Sequence, residues 1–123
     1  MLGRLKGAFA ALGRFYMLDI YPVIVSLVEG MGVVLKEVAR HDGDRARQGR
    51  RAVLSVLLNV KEGMGSDKGN RKARYFNALG SARETEAVLD GARAMGYVRR
   101  IDPVVAARLD HVVAVLVLLS RKG

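Results

Sequence analysis

The chain has 123 residues, no cysteine, and 21 Lys+Arg against 12 Asp+Glu, for a formal charge of +9. One domain of this size buries roughly two-thirds of the surface its unfolded chain exposes, so it needs no covalent staple. The absence of cysteine removes disulfides, thiolate chemistry and zinc–sulfur sites, and His41 and His111 alone cannot build a His-rich metal constellation. The basic excess, with a sequence pI near 10.5, favours polyanionic partners such as nucleic acid or an anionic membrane surface.

Residues 1–18 read as an N-terminal amphipathic extension. Leu2, Leu5, Phe9, Leu12 and Tyr16 form a seam at helical spacing, weakened by Gly3, Gly7 and Gly13. The segment lacks the continuous apolar stretch of a secretory signal, and the longest clean apolar run, Val112 to Leu119, is far short of the roughly 20 residues a bilayer demands. A cytoplasmic protein without integral membrane association is expected.

Residues 19–123 read as one four-helix domain. The first helix is expected from about Asp19 to Arg40, with Pro22 in its first turn and Ile24, Leu27, Val28, Met31, Val34, Leu35 and Val38 at helical spacing. His41–Asp44 breaks it, and Asp44 is the expected N-cap of the second helix, which runs to about Glu62. The glycine-dense loop at 63–70 follows, with Asn70 as the expected cap of the third helix. That helix stops at Gly96, a residue suited to the left-handed C′ position. Asp102-Pro103 then gives an N-cap followed by proline at the first helical position, opening a fourth helix through Leu119. Short connections force antiparallel neighbours. The predicted fold is therefore all-α, an antiparallel up-down-up-down four-helix bundle with an extra N-terminal helical segment.

The second helix is the most informative element. Gln48, Arg51, Ser55, Asn59 and Glu62 fall on one narrow polar line, while Val53, Leu54, Val56, Leu57, Leu58 and Val60 cover most of the remaining circumference. So much apolar surface predicts burial against a second copy or a partner. The up-down topology also sorts the charge. Arg40, Arg45, Arg47, Arg50 and Arg51 come near Arg99 and Arg100 at one end; Lys68, Arg71, Lys72 and Arg74 meet Arg121 and Lys122 at the other. Two basic caps on an apolar barrel are expected.

Two motifs carry a resemblance. The stretch from Arg47 to Gly63, RQGRRAVLSVLLNVKEG, resembles the signature of the four helix bundle protein family, often called 23S rRNA intervening-sequence proteins. The family pattern falls on Gln48, Arg50, Arg51, Ala52, Ser55, Val56, Asn59, Glu62 and Gly63. A second signature, ALGSARE, stands intact from Ala78 to Glu84, followed by Gly96-Tyr97. The resemblance covers about Asp19 to Ser120. Gly49 stands where an apolar residue is usual, and Lys61 where alanine is usual, placing a charge beside Asn59 and Glu62. The resemblance implies fold and assembly more than activity. The chain is similar to the accessory variability protein of diversity-generating retroelements, a basic pentameric barrel that binds nucleic acid and its reverse transcriptase. A homopentamer, RNA slightly preferred over DNA, and a reverse transcriptase as partner are what that similarity implies.

The candidate sites weigh against an enzyme. Asn59 and Glu62 lie one turn apart, but no nucleophile, base or metal set completes a geometry, and a structural interhelical link is the stronger reading. No catalytic residue, metal or cofactor is expected. Glu84 and Glu86 project about 200° apart and form no acid pair; Glu84 is positioned to reach a neighbouring helix or subunit, and Glu86 to be solvated. Gly80, Ser81 and Ala82 read as a close-packing patch. Gln48, Arg51, Ser55, Asn59, Glu62, Gly80, Ser81 and Glu84 are accordingly structural or interface candidates. Arg45, Arg47, Arg50, Arg99, Arg100, Lys68, Arg71 and Lys72 are nucleic-acid candidates, binding phosphates with weak sequence preference. Tyr75 and Tyr97 are candidates for base stacking, although Tyr75 lies on an apolar face and suits the core better. His41 and His111 are expected at the surface or an interface. The other reading is an oligomeric scaffold for a protein partner such as a reverse transcriptase.

Overall fold

A computed structural model describes the backbone of residues 2–122 and the side chains of residues 20–121. The N-terminal seam of Leu2, Leu5, Phe9, Leu12 and Tyr16, and the side chain of Lys122, lie outside the described residues. Four helices follow in order: α1 (Leu2–Ala39), α2 (Gly43–Met64), α3 (Lys68–Ala94) and α4 (Pro103–Lys122). They form an all-α four-helix bundle in which α2 packs on α1 and α3, and α4 closes the ring against α3 and α1.

The helix ends follow capping chemistry, at some positions not those expected. Asp42, not Asp44, caps α2: its carboxylate accepts from the Arg45 backbone N–H at 3.0 Å. Asp44 lies inside the first turn and pairs with Arg47. Asp67, not Asn70, caps α3 by accepting from the Asn70 N–H, also at 3.0 Å. Both displaced expectations have one cause: where polar residues cluster before a helix, several can cap, and the first to adopt extended backbone takes the role. Asp102 behaves as expected, accepting from Val104 N–H at 2.8 Å as Pro103 opens α4. Gly96, at φ +78°, is the one residue with positive φ among those described, and it turns the chain out of α3.

The first helix differs from its expected bounds. It runs over 38 residues with Pro22 inside it, so it begins ahead of the expected start at about Asp19. Pro22 has no N–H to offer the carbonyl one turn earlier, a local weakness that continuous helix on both sides absorbs.

The core pairs large side chains with small ones. Ile20, Ile24, Leu27, Met31, Leu35 and Val38 of α1 are fully buried, whereas α2 buries Ala46, Gly49, Ala52, Val53, Val56, Val60 and Gly63. Gly49 lets Leu35 approach: a methyl group on its Cα would lie 2.6 Å from Leu35 Cδ2 and 3.1 Å from Val88 Cγ1. Gly63 makes the same room for the ring of Tyr75, the largest buried side chain. A larger apolar residue at position 49 would not fit this packing without movement. Gly80 has no neighbour within 4 Å of where a Cβ would stand, so within this chain it is open and not a close-packing point.

These two glycines predict opposite outcomes. Gly80→Ala adds helix propensity at an open position and is expected to stabilise by about 0.5–1 kcal/mol. Gly63→Ala drives a methyl into the Tyr75 ring, and the overpacking cost of roughly 1–3 kcal/mol is expected to exceed that gain. Thermal melts of the two variants check this, and a loss of stability in Gly80→Ala would place another chain against that position.

Candidate nucleic-acid interface

The polar line of α2 faces a matching line on α3. Gln48 donates to Glu84 at 3.3 Å, Ser81 donates to the Ser55 hydroxyl at 2.8 Å, and Arg74 pairs with Glu62 at 2.9 Å. Asn59 turns back along its own helix, donating to the Ser55 carbonyl at 2.9 Å and the Ser55 hydroxyl at 3.1 Å. Glu62 and Asn59 thus belong to a helix–helix seam and form no isolated acid–amide pair. Lys61 points elsewhere, with its ammonium 4.7 Å from the Tyr21 ring centroid, a cation–π contact between α2 and α1. Arg51 is exposed at the margin of the seam, and Glu86 makes only a long 4.0 Å contact with Arg83. Thr85, fully buried on α3, satisfies its hydroxyl by donating to the Ser81 carbonyl at 2.9 Å.

At one end of the bundle, loop 40–42 meets loop 95–102. Tyr97 donates its hydroxyl to Asp42 Oδ2 at 3.2 Å, and the Tyr97 ring stacks on His41 with centroids 5.5 Å apart and planes 6° apart. Tyr97 is held from behind as well, since its N–H donates to the Ala92 carbonyl at 2.8 Å and the next residue, Val98, is buried. The Asp42 carboxyl is pulled below the usual carboxylate range, chiefly by the Arg45 backbone N–H, with partial burial opposing and the Tyr97 hydroxyl and Arg45 charge assisting. Burial raises the Tyr97 phenol, and the neighbouring Asp42 raises it further.

The arginines of this end divide into two groups. Arg45 is committed to Asp42 and Gln48, and Arg47 to Asp44. Arg40, Arg50, Arg51, Arg99 and Arg100 are exposed and make no ion pair among the described residues. Asp42, Asp44 and Asp102 are each engaged in a cap or a local pair, and none of them pairs with those guanidiniums.

The opposite end is differently built. Lys68 and Lys72 are exposed, but Arg71 is half-buried, donates to the Ser66 carbonyl at 3.1 Å and keeps its Nε buried without a partner. Its guanidinium is directed into the α2–α3 turn. Tyr75 is buried at this end, with its phenol raised by burial against the opposing charge of Arg71, so it belongs to the core. Among the described residues, no three His, Asp or Glu side chains gather as a metal site.

The lateral faces carry the remaining apolar surface. Leu54 and Leu58 of α2 are exposed, as are Val33, Phe76, Val104 and Leu118. On α4, Val104, His111 and Leu118 are exposed and fall on one heptad seam, with Ala107 and Ala114 on the same face. Val23 of α1 joins Pro103, Val104, Ala107, Arg108 and His111 around an open groove beside that seam. By length and composition, α4 from Pro103 to Arg121 could cross a membrane, at a mean hydropathy of 1.8, which the apolar run from Val112 to Leu119 understates. Its inner face, Val105, Leu109, Val112, Val115 and Leu116, is buried in the bundle, with 28% of the span buried in all, and Arg108 and Asp110 lie within the same stretch outside that stripe.

No family model, no curated protein and no solved structure matches the chain.

The cap at Asp42 sets a pH dependence. A carboxyl with a lowered folded pKa contributes stability above its unfolded value, near 3.9, and that contribution is lost as pH falls through the folded value. Asp42→Ala is therefore expected to lower the urea midpoint at pH 7, and the gap from the parent should narrow as pH falls below about 4. Parallel urea titrations at pH 7 and at acidic pH measure it; a gap that stays constant would show that the ionised carboxylate is not the stabilising form.

Proposed function

We propose that this chain is a non-enzymatic, self-associating basic four-helix-bundle protein that binds nucleic acid through arginine–phosphate contacts. The observation that carries the reading is the arginine set at the end formed by loops 40–42 and 95–102. Its aspartates are consumed by caps and local pairs, and Arg40, Arg50, Arg99 and Arg100 stand exposed and unpaired among the described residues. Such contacts neutralise phosphates without reading bases, so sequence preference is weak. RNA is slightly preferred on the resemblance to intervening-sequence proteins, and the same resemblance makes five the leading subunit count. Self-association draws support from the exposed heptad seam of α4 and from Leu54 and Leu58 of α2, apolar surface that a monomer leaves in water. A ring of copies repeats one end's arginines, and modest single contacts then sum by avidity.

A second reading draws on the same α4 seam. An exposed Val104–Leu118 stripe beside a groove suits a helix from a protein partner, of which a reverse transcriptase is the example the resemblance offers.

Light scattering on a size-exclusion column is expected to show a discrete oligomer at micromolar concentration; a clean monomer removes the assembly. Filter binding across a salt series is expected to show affinity falling steeply as salt rises. Arg99→Ala with Arg100→Ala should lower the log–log slope by roughly 0.7–0.9 for each phosphate no longer neutralised. Arg45→Ala with Arg47→Ala should change it less, because those side chains are already paired. Absence of binding to RNA and DNA at low salt would transfer the function to the scaffold reading.

A further inference from the structure

We propose that the stacked His41–Tyr97 pair is a base-stacking platform, and that the polymer taken at this end is single-stranded nucleic acid. The inference rests on the nucleic-acid reading above and deepens it by naming the form of the ligand. The Tyr97 and His41 rings lie parallel to within 6° in an offset stack with centroids 5.5 Å apart, and His41 remains exposed, so the pair presents aromatic surface to water. A flat aromatic surface of that kind accepts any base by its π-face.

The platform is assembled before a ligand arrives. Tyr97 is tied at its hydroxyl to Asp42 and at its N–H to Ala92, while the His41 N–H donates to the Val38 carbonyl at 2.9 Å. Asp42 is itself fixed as the cap of α2. The Tyr97 ring and the backbone that carries His41 are thereby held before binding, which lowers the ordering cost of a stacking contact.

Charge surrounds the pair in the arrangement a strand requires. Arg40 precedes His41, and Arg99 and Arg100 follow Tyr97 by two and three residues; all three are exposed and without an ion pair among the described residues. The carboxylate in contact with the stack, Asp42, is occupied by Arg45 and the Tyr97 hydroxyl. An unpaired base thus meets the imidazole while flanking phosphates meet guanidiniums. A duplex offers phosphates but no free base face, since each base already stacks on two neighbours. Of the two aromatic candidates in the sequence, Tyr75 is excluded by burial, and only Tyr97 reaches this end.

The test compares the full chain with His41→Ala and His41→Phe, using oligo(U), oligo(dT) and an RNA duplex of matched length. His41 is exposed, so both variants are expected to keep the parent's helicity by circular dichroism. We expect His41→Ala to weaken oligo(U) and oligo(dT) binding by about 5-fold or more, with the salt slope unchanged, because the variant removes a stacking surface and leaves every phosphate contact in place. His41→Phe should restore single-strand affinity to within about 2-fold, since it keeps the ring. Duplex binding should be equal in all three proteins. A single 2-aminopurine in oligo(dT) should lose fluorescence on the parent and on His41→Phe but not on His41→Ala. A parent that binds no polymer at low salt overturns the nucleic-acid reading and the platform together. A parent that binds with a steep salt slope, and that His41→Ala matches on every ligand, overturns the platform alone. An equal loss of duplex and single-strand binding in His41→Ala also overturns it.

Discussion

The structure depends on the packing of large side chains from α1 into a face of α2 made of glycine, alanine and valine. Leu35 occupies the space that Gly49 leaves, and Tyr75 from the other side occupies the space that Gly63 leaves. Dispersion forces fall off within an ångström, so this close approach sets how near α2 can come to both neighbours. It also sets the reach of short polar side chains. Ser55 and Ser81 meet at 2.8 Å only because the two helix backbones lie close, since neither side chain extends more than one atom beyond Cβ.

From that spacing the α2–α3 seam follows. Its members are satisfied in turn by a neighbouring helix or by their own turn: Gln48 by Glu84 and Arg45, Ser55 by Ser81 and Asn59, Glu62 by Arg74. Their value is directional more than energetic. The Arg74–Glu62 pair is substantially exposed and contributes little by itself. A seam of hydrogen bonds with defined partners fixes the register of two helices that an apolar contact alone would let slide.

At the end where loops 40–42 and 95–102 meet, several structural roles converge on one residue. Asp42 caps a helix, holds a tyrosine and quiets an arginine at once. The consequence is electrostatic: none of the local carboxylates pairs directly with Arg40, Arg99 or Arg100, and part of the formal charge of +9 stands exposed to solvent. The apolar surplus lies elsewhere, on the flanks of α2 and α4. Charged ends and apolar flanks are thus separate surfaces of the same small chain.

The sequence by itself determined the four helices, their antiparallel order and the basic character of the ends, because helical periodicity, capping pairs such as Asp102-Pro103 and short connections act locally. It placed Gln48, Ser55, Asn59 and Glu62 on one line, since 3.6 residues per turn require nothing beyond the chain itself. Tertiary structure alone decided the rest. Which aspartate caps α2, whether Arg71 faces solvent or the turn, and that Lys61 lies over Tyr21 all depend on neighbours that helical spacing does not name. Gly80 stands open and Gly49 lies at a close approach for the same reason: a glycine's neighbours, not its spacing, determine what meets it. The His41–Tyr97 stack joins two loops more than 50 residues apart, and no local pattern encodes a ring meeting another ring across a bundle end.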